Sequence, residues 1–484
     1  MRRRVAGLAV ALTLALALAS GCGEVVAQAI GGSTPDRGTT TDATSEHGSD
    51  GSSGNDGTSP ADSPVDATGF CQGHGAVLPG PNPNHLCAGD LSNLFKFAAC
   101  ACSSFDVSGV LTTTSLASPD GGVTEVASVG ANQALSTNST TSIGGSVWSA
   151  GAVLTPGAPA VLLGGTAPGL VAGDVQSGGP VEIAGPYEVM GDVWSRGNVT
   201  VDASGNLKVD GTIHVETGDT VNGSFTSGGG VAMTNVTVPQ PCDCGTPIEI
   251  GSIVQGFQTT NDDATHHLTA SSLDNPTQTI SLPCGLYYFD GIHGGSAVTL
   301  DIQGRVAIFV DGDLSVTQGI TIELEAGAEL DLFIAGNVDI QGPTGSVTIG
   351  DVTHAALTRI YVGGGGNDAG GGFALSADAN ISANIYAPSA VVQLASNFVL
   401  RGAILAQALQ FSGDFSILYD TAVLQVSQSS GCQPTGGGCT SCNDCPSATP
   451  ACNGVTCGPC HTTADCCAPL VCVPSSGLCV LSTQ

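Results

Sequence analysis

Between residues 130 and 428 the chain repeats one pattern: a small corner residue, a polar residue, then apolar residues at alternate positions. Gly191-Asp-Val193, Gly197-Asn-Val199, Gly205-Asn-Leu207 and Gly211-Thr-Ile213 share it, and glycines at 185, 191, 197, 205 and 211 step by six to eight. Nearer the C-terminus the step settles at six, with Ala390, Ser396, Gly402, Ala408 and Asp414 evenly spaced. Apolar pairs follow at 392/394, 398/400 and 415/417, with a one-residue drift to 409/411; Ile404 keeps the step but its partner is only Ala406. Alternation within a segment means a strand with one side chain in and the next out. Corners this frequent do not suit a β-sandwich, whose turn signals recur every ~8–12 residues. They predict an all-β fold, a parallel β-helix or solenoid in which each coil is held by its neighbours. The corner glycines are expected to turn through positive φ.

The pattern is interrupted twice. Asp90 to Cys100 places Leu91, Leu94 and Phe95 at helical spacing behind a potential N-cap, which predicts a small helical N-terminal cap over the solenoid's open end. Pro239 to Leu286 reads as a loop-rich or partly helical insertion. The expected order is signal peptide 1–21, linker 22–69, Cys-containing cap region 70–128, first solenoid part 129–238, Cys-containing insertion 239–286, second solenoid part 287–428 and disulfide-rich module 429–484.

Arg2, Arg3 and Arg4 precede an apolar run from Val5 to Ala19. That run is shorter than the ~20 residues needed to span a bilayer but suits a secretory signal. Leu18-Ala19-Ser20-Gly21-Cys22 resembles a bacterial lipobox, which implies Cys22 as a lipidated first residue. It departs from that pattern in one respect, because Leu18 stands four before the cysteine rather than three. Gly23 after the cysteine resembles an outer-membrane lipoprotein. The alternative is ordinary cleavage, after Ala27 for example, and a secreted protein. Residues 31–69 are Gly, Ser, Thr, Asp and Pro with little to bury, the composition of a flexible tether. The expected location is the cell envelope, as an outer-membrane or cell-surface lipoprotein or a secreted protein. Membrane contact is then through the lipid alone.

Composition sharpens this. The 484 residues hold 41 acidic and 10 basic side chains, and three of the ten are in the signal. Nucleic acid is therefore excluded as a partner, since phosphate contacts need Lys and Arg. Gly is 70 of 484 while apolar residues reach 41%, so the chain can fill a core of small aliphatic side chains, unlike a disordered acidic one.

There are 19 cysteines, and setting aside Cys22 leaves an even number. In an exported chain they are expected as disulfides. They form three groups: Cys71, Cys87, Cys100 and Cys102; Cys242, Cys244 and Cys284; and Cys432, Cys439, Cys442, Cys445, Cys452, Cys457, Cys460, Cys466, Cys467, Cys472 and Cys479. Parity suggests that Cys432 joins the middle group. Cys439-x-x-Cys442-x-x-Cys445 and Cys457-x-x-Cys460 also have zinc-ligand spacing, which oxidation outside the cytoplasm outweighs. The stretch from Cys457 to Cys479, with its Asp465-Cys466-Cys467 step, resembles an inhibitor-knot (knottin) domain, a resemblance that implies a stapled module and no activity.

Several segments together carry a wider resemblance. Leu282-Pro-Cys-Gly-Leu-Tyr-Tyr288 is followed by Gly304-Arg-Val-Ala-Ile-Phe-Val-Asp-Gly-Asp-Leu314, Ala328-Glu-Leu-Asp-Leu-Phe-Ile-Ala-Gly-Asn337 and Arg359-Ile-Tyr-Val-Gly-Gly364. Asn384-Ile-Tyr-Ala-Pro388, Gly402-Ala-Ile-Leu405 and Tyr419-Asp420 complete the series. Over residues 240 to 425 the chain resembles an uncharacterised β-solenoid domain of bacterial exported proteins, some of them lipoproteins and some associated with pili or the cell surface. The resemblance implies a fold and an envelope setting, and it brings no catalytic residues or cofactor.

Candidate chemistry is sparse. Asp262, Asp263, His266 and His267 form the densest polar cluster, with the donor types of a metal site but also those of a solvated loop. Asp311-Gly-Asp313 has calcium-type ligands in a turn dipeptide setting. Glu323, Glu325, Glu329 and Asp331 include alternating positions that could share one outward face, as a glycosidase pair would. Gly363 to Gly366 and Gly370 to Gly372 lack the following Lys and helix of a phosphate loop and read as a surface loop. The chain thus reads as a non-catalytic surface protein, structural or adhesive, binding a polysaccharide or a surface protein. The alternative is a β-helix carbohydrate-active enzyme, a hydrolase or lyase. With Arg305, Arg359 and Arg401 among only seven basic residues after the signal, an acidic polysaccharide is disfavoured as its substrate.

Overall fold

The computed structural model describes residues 67–79, 86–87, 94–116, 127–151, 158–245, 247–343, 346–365, 372–428 and short pieces between 451 and 481. Cys22 with the signal and the tether to residue 66, the glycine run 366–371, and Cys432, Cys439, Cys442, Cys445, Cys460 and Cys467 lie outside them. Among the described residues no helix is long and apolar enough to cross a membrane.

The fold is a parallel β-solenoid. In the first half each strand pairs in parallel with the third strand after it. Three strands therefore make one coil, and the stack has three faces. Face one carries Val147–Ser149, Val175–Ser177, Val193–Ser195 and Ile213–Val215. Their outer residues, such as Val193 and Ser195, point into the core and are buried, while the middle one is half-buried and faces out. Burying each inward Val, Ile or Leu contributes about 1.5–3 kcal/mol. The inward serines are satisfied at the corner: Ser195 Oγ donates to the carbonyls of Gly197 (2.9 Å) and Gly179 (3.1 Å). In the second half, long strands bend across two faces, as in Val298–Val310 and Asn384–Leu394.

At some corners glycine is needed for a reason other than the expected positive φ. Gly191 and Gly211 are not among the positive-φ glycines. A Cβ on Gly191 would stand 2.2 Å from Asp174 Oδ1, and one on Gly211 2.1 Å from Asp192 Oδ1. Close stacking of successive corners, rather than a left-handed turn, excludes a side chain there. Positive φ is used at other corners, as at Gly402 (φ 125°) between Phe398–Arg401 and Ile404–Phe411.

The stacking order differs from the chain order. Ala99–Ala101 pairs with Ile404–Ala406, Phe105–Val107 with Leu409–Phe411, and Leu111–Ser115 with Phe415–Tyr419. The first coil of the chain therefore sits on the last. The chain starts mid-stack, winds to one end at Met233, runs as a strap to the far end, and winds back from Ile280 to meet its own beginning. The solenoid thus begins at Ala99, inside the segment read as a cap region. Of the helix expected over Asp90 to Cys100, residues 90–93 lie outside the described residues and Leu94 is helical; its C-terminal end is corrected, since residues 95–98 are turn and bend and Ala99–Ala101 is strand, where Ala99 and Ala101 fill the core while Cys100 faces the strap. The short N-terminal helix is Ala67–Gln72.

Residues 234–279 form the strap along face one. Cys242 is bonded to Cys100 and Cys244 to Cys102, and Asn132 makes two hydrogen bonds of 3.0 Å with the backbone of Cys242. Farther on, Ile248 N donates to Tyr386 Oη (3.1 Å) and the Phe257 ring stacks on Phe309 at 3.9 Å. Beyond the helix Ile250–Gly256, residues 262–275 cover the edge of the far coil through Asp262 N to Leu286 O (2.7 Å) and Asn275 N to His293 O (2.7 Å). This protects an edge that would otherwise template pairing. Cys71 is bonded to Cys284. The three cysteines of the middle group are thus all taken by the N-terminal group, which corrects the parity assignment of Cys432. Pairing follows spatial neighbours in a permuted stack, not groups along the chain. In the C-terminal module two antiparallel hairpins place Cys452 opposite Cys457 and Cys472 opposite Cys479 in register. Cys466 and Cys472 each take part in a disulfide.

Candidate functional site

The acidic candidates from the sequence serve the fold. Asp262 Oδ2 accepts the Leu286 N–H (2.9 Å) and Asp263 Oδ1 accepts the Tyr288 N–H (3.2 Å), so both seal the strap's end. Burial pushes the Asp263 carboxyl up to about 6, against the Tyr288 hydrogen bond and with the charge of Asp262 adding. His266 lies against the Tyr287 ring at 5.6 Å, and His267 adopts a left-handed turn. Asp313 Oδ1 accepts Asn337 N–H (2.7 Å) at a corner, and Asp311 Oδ2 accepts the Tyr288 hydroxyl (3.0 Å). Among the described residues no group of three or more His, Cys, Asp or Glu could hold a metal ion.

Glu323, Glu325, Glu329 and Asp331 do not share a face. Glu323 and Glu325 are exposed, whereas Glu329 and Asp331 are buried under the N-terminal segment with Arg359. Arg359 Nε donates to Asp331 Oδ1 (2.7 Å), and its Nη2 to Asp331 Oδ2 (2.9 Å) and Glu329 Oε2 (3.1 Å). The Gly75 N–H bonds Glu329 (2.9 Å) and the Val77 N–H bonds Asp331 (3.2 Å). Arg305 lies over the Phe70 ring and donates to Gly75 O (2.9 Å). This cluster docks the segment that leads in from the tether. Arg401 sits half-buried at the end of the strand Phe398–Arg401. Gly363 and Gly364 form a tight corner, since a Cβ on Gly363 would be 2.9 Å from Ile250 Cβ of the strap.

A different constellation emerges from the register. The outward positions of face one form one unbroken row. In its lower half Tyr288, Phe309, Phe333, Tyr361 and Tyr386 are in register and buried beneath the strap. The strap leaves the row at Gly130, where a Cβ would be 2.9 Å from Pro241 Cβ. Beyond it the row continues as Trp148, Gln176, Trp194 and His214, each paired directly with the next and each half-buried. Trp194 and His214 stack at 3.6 Å with planes 7° apart, and Trp148 meets Phe97 edge-on at 6.1 Å. Beside the row, between the strap and the corner, runs a groove of about 380 Å³ lined in part by Arg196, Glu216, Asn235 and Thr237. On the row's other side Asp174 and Asp192 cap backbone N–H groups of the next corner (2.8 and 2.7 Å), and Asp192 reaches His214 at 3.5 Å. A second groove, of about 430 Å³ beside Asp106, Asn138, Gln393 and Gln410, has no exposed ring. The sequence carried a signal for the first site: Val147-Trp148-Ser149 and Val193-Trp194-Ser195 are the same tripeptide, and they hold the only two tryptophans.

Residues 245–426 match the model of a domain of unknown function, DUF7305. No curated protein matches the chain. Among solved structures, the crystal structure of an ice-binding protein from an Antarctic bacterium, Flavobacteriaceae, is similar at 13% identity over 69% of this chain and 97% of that chain, with a TM-score of 0.12. A superposition that poor supports no argument about ligands.

Proposed function

We propose that this chain is an exported, non-catalytic adhesive scaffold of the cell envelope, lipidated at Cys22 and displayed on its tether, that holds an extended repetitive ligand along face one. The observation that carries this reading is the half-exposed row Trp148, Gln176, Trp194 and His214, set one rung apart on a rigid stack. A repeated row suits a repeated ligand, and Trp is the residue most enriched at binding hot spots. Against the enzyme alternative stands the engagement of the carboxylates around the row: Asp174, Asp192 and Glu216 each accept a backbone N–H. The test is retention of the full chain on insoluble cell-wall and matrix polymers, with product analysis of every hit. Replacing both Trp148 and Trp194 by Ala is expected to weaken retention at least about tenfold, equivalent to ~1.4 kcal/mol, with no products released. Released products, or undiminished retention of the double variant, would overturn the reading.

Another face of the stack, carrying Ile320–Leu324, Val347–Ile349 and Phe398–Arg401, favours a second reading. Its outward row Thr299, Thr321, Thr348, Asn380, Val399 and Ser416 is uncharged over consecutive rungs, with three threonines in succession in an otherwise acidic molecule. Such a row suits an ordered solid, and ice is the direct probe. On this reading the protein inhibits ice recrystallisation, and Thr348→Arg abolishes that effect while leaving the melting temperature within about 2 °C. Absence of inhibition by the unaltered chain eliminates it.

A further inference from the structure

Resting on the reading of face one as a binding face, we infer that its ligand is a neutral glycan: an extended chain of sugar rings lying along the stack axis over the half-buried indoles of Trp148 and Trp194, with Gln176 between them. The geometry narrows the chemistry stepwise. Strands of one face are ~4.8 Å apart, so the two indoles stand about 10 Å apart, with one rung between. His214 of the next rung stacks on one face of the Trp194 ring and holds it in place, so the ring stands across the stack axis with its other face towards the Gln176 rung and its outer edge along the row. Half-buried indoles recurring at every second rung along a line offer apolar contact to the C–H faces of pyranoses. The hydroxyls around those pyranoses then need partners of both kinds. The Gln176 amide donates and accepts, and the groove alongside adds Asn235, Thr237, Arg196 and Glu216.

Two competing ligand classes fit less well. An extended peptide would bind by adding a strand to a sheet edge, but the strands bearing Trp148, Gln176 and Trp194 are paired on both sides. An anionic polymer would meet Asp174, Asp192 and Glu216 with Arg196 as the nearby cation, in a chain of formal net charge −31.

Both tryptophans of the chain belong to the row, so intrinsic fluorescence of the intact protein reports this site directly. The experiment titrates the full chain with soluble neutral oligosaccharides (β-glucan, chitin and mannan fragments), with alginate and pectate fragments, and with an uncharged extended peptide. A saturable change in tryptophan emission with a neutral oligosaccharide is expected. Gln176→Ala and Trp194→Phe should each weaken it, and Trp194→Ala should weaken it about tenfold or more, with unaltered circular dichroism. Saturation by anionic fragments or by the peptide alone would overturn the glycan assignment and leave the binding face standing. No emission change with any probe, together with polymer retention insensitive to Trp194→Ala, would overturn both.

Discussion

Removing both disulfides between the strap and the first coil is expected to destabilise the protein by about 5 kcal/mol, whereas removing either one alone costs a small fraction of that. The reason is topological. Cys100–Cys242 and Cys102–Cys244 each close a loop with a sequence separation of 142, and it is nearly the same loop. Once one bridge restricts the unfolded chain, the other removes little further entropy. The loss on removing both is felt along the strap, which carries Phe257 onto Phe309 and Ile248 onto Tyr386. Released, it would bare the buried aromatic row below. Three Cys→Ala variants test this in denaturant: one lacking each bridge and one lacking both. Alanine avoids burying an unsatisfied hydroxyl at Cys100, which is 2% exposed. Strong non-additivity with increased binding of a hydrophobic dye in the third variant is the expected result. Losses that simply sum would show that the two bridges act independently.

The same strap explains what the sequence made legible and what it did not. Val392, Leu394, Phe398, Leu400, Phe415 and Ile417 are all buried, as their alternation required, because whether a residue faces in or out is set locally. Which coil lies on which is not local. Every coil edge offers the same parallel hydrogen-bonding row, so nothing in the sequence says that Ala99 sits on Ile404 rather than starting a new end. That omission carried over into the cysteines, whose partners are set by the permuted stacking. The helix expected from Asp90 ran too far at its C-terminal end, because the helical spacing of Leu91, Leu94 and Phe95 outweighed the alternation of Ala99 and Ala101, which have weak apolar contrast. The outward row of face one was more accessible. Two copies of Val-Trp-Ser at equivalent places in the repeat already put both indoles outward on one face, since Val and Ser flank them on the inward side.

Arg359 is the position where a single substitution has the largest predicted effect. Its guanidinium is fully buried and bonded to Asp331 and Glu329. Arg359→Met keeps much of the volume but leaves two buried carboxylates without their cation, and breaking such a pair costs about 3–5 kcal/mol. The pH dependence identifies the cause. In the native protein burial alone would raise the Glu329 carboxyl, but the charge of Arg359, the Gly75 N–H, and the hydrogen bonds of Arg359 and His74 outweigh it and hold it below its ordinary value. A carboxyl lowered in the folded state adds stability above its unfolded value near 4.5, and that stability is lost as the pH falls through the lower folded value. With Arg359 gone, burial dominates and the sign reverses: the variant should lose stability as the pH rises from about 4.5 towards 7. Adding Glu329→Gln and Asp331→Asn to Arg359→Met should flatten that slope and recover part of the stability, because the neutral amides need no counter-ion. Urea unfolding of the three proteins at about pH 5 and pH 7.5 separates this from simple loss of packing, which would lower stability equally at both pH values. A parallel drop would therefore refute the electrostatic account of how the N-terminal segment is docked.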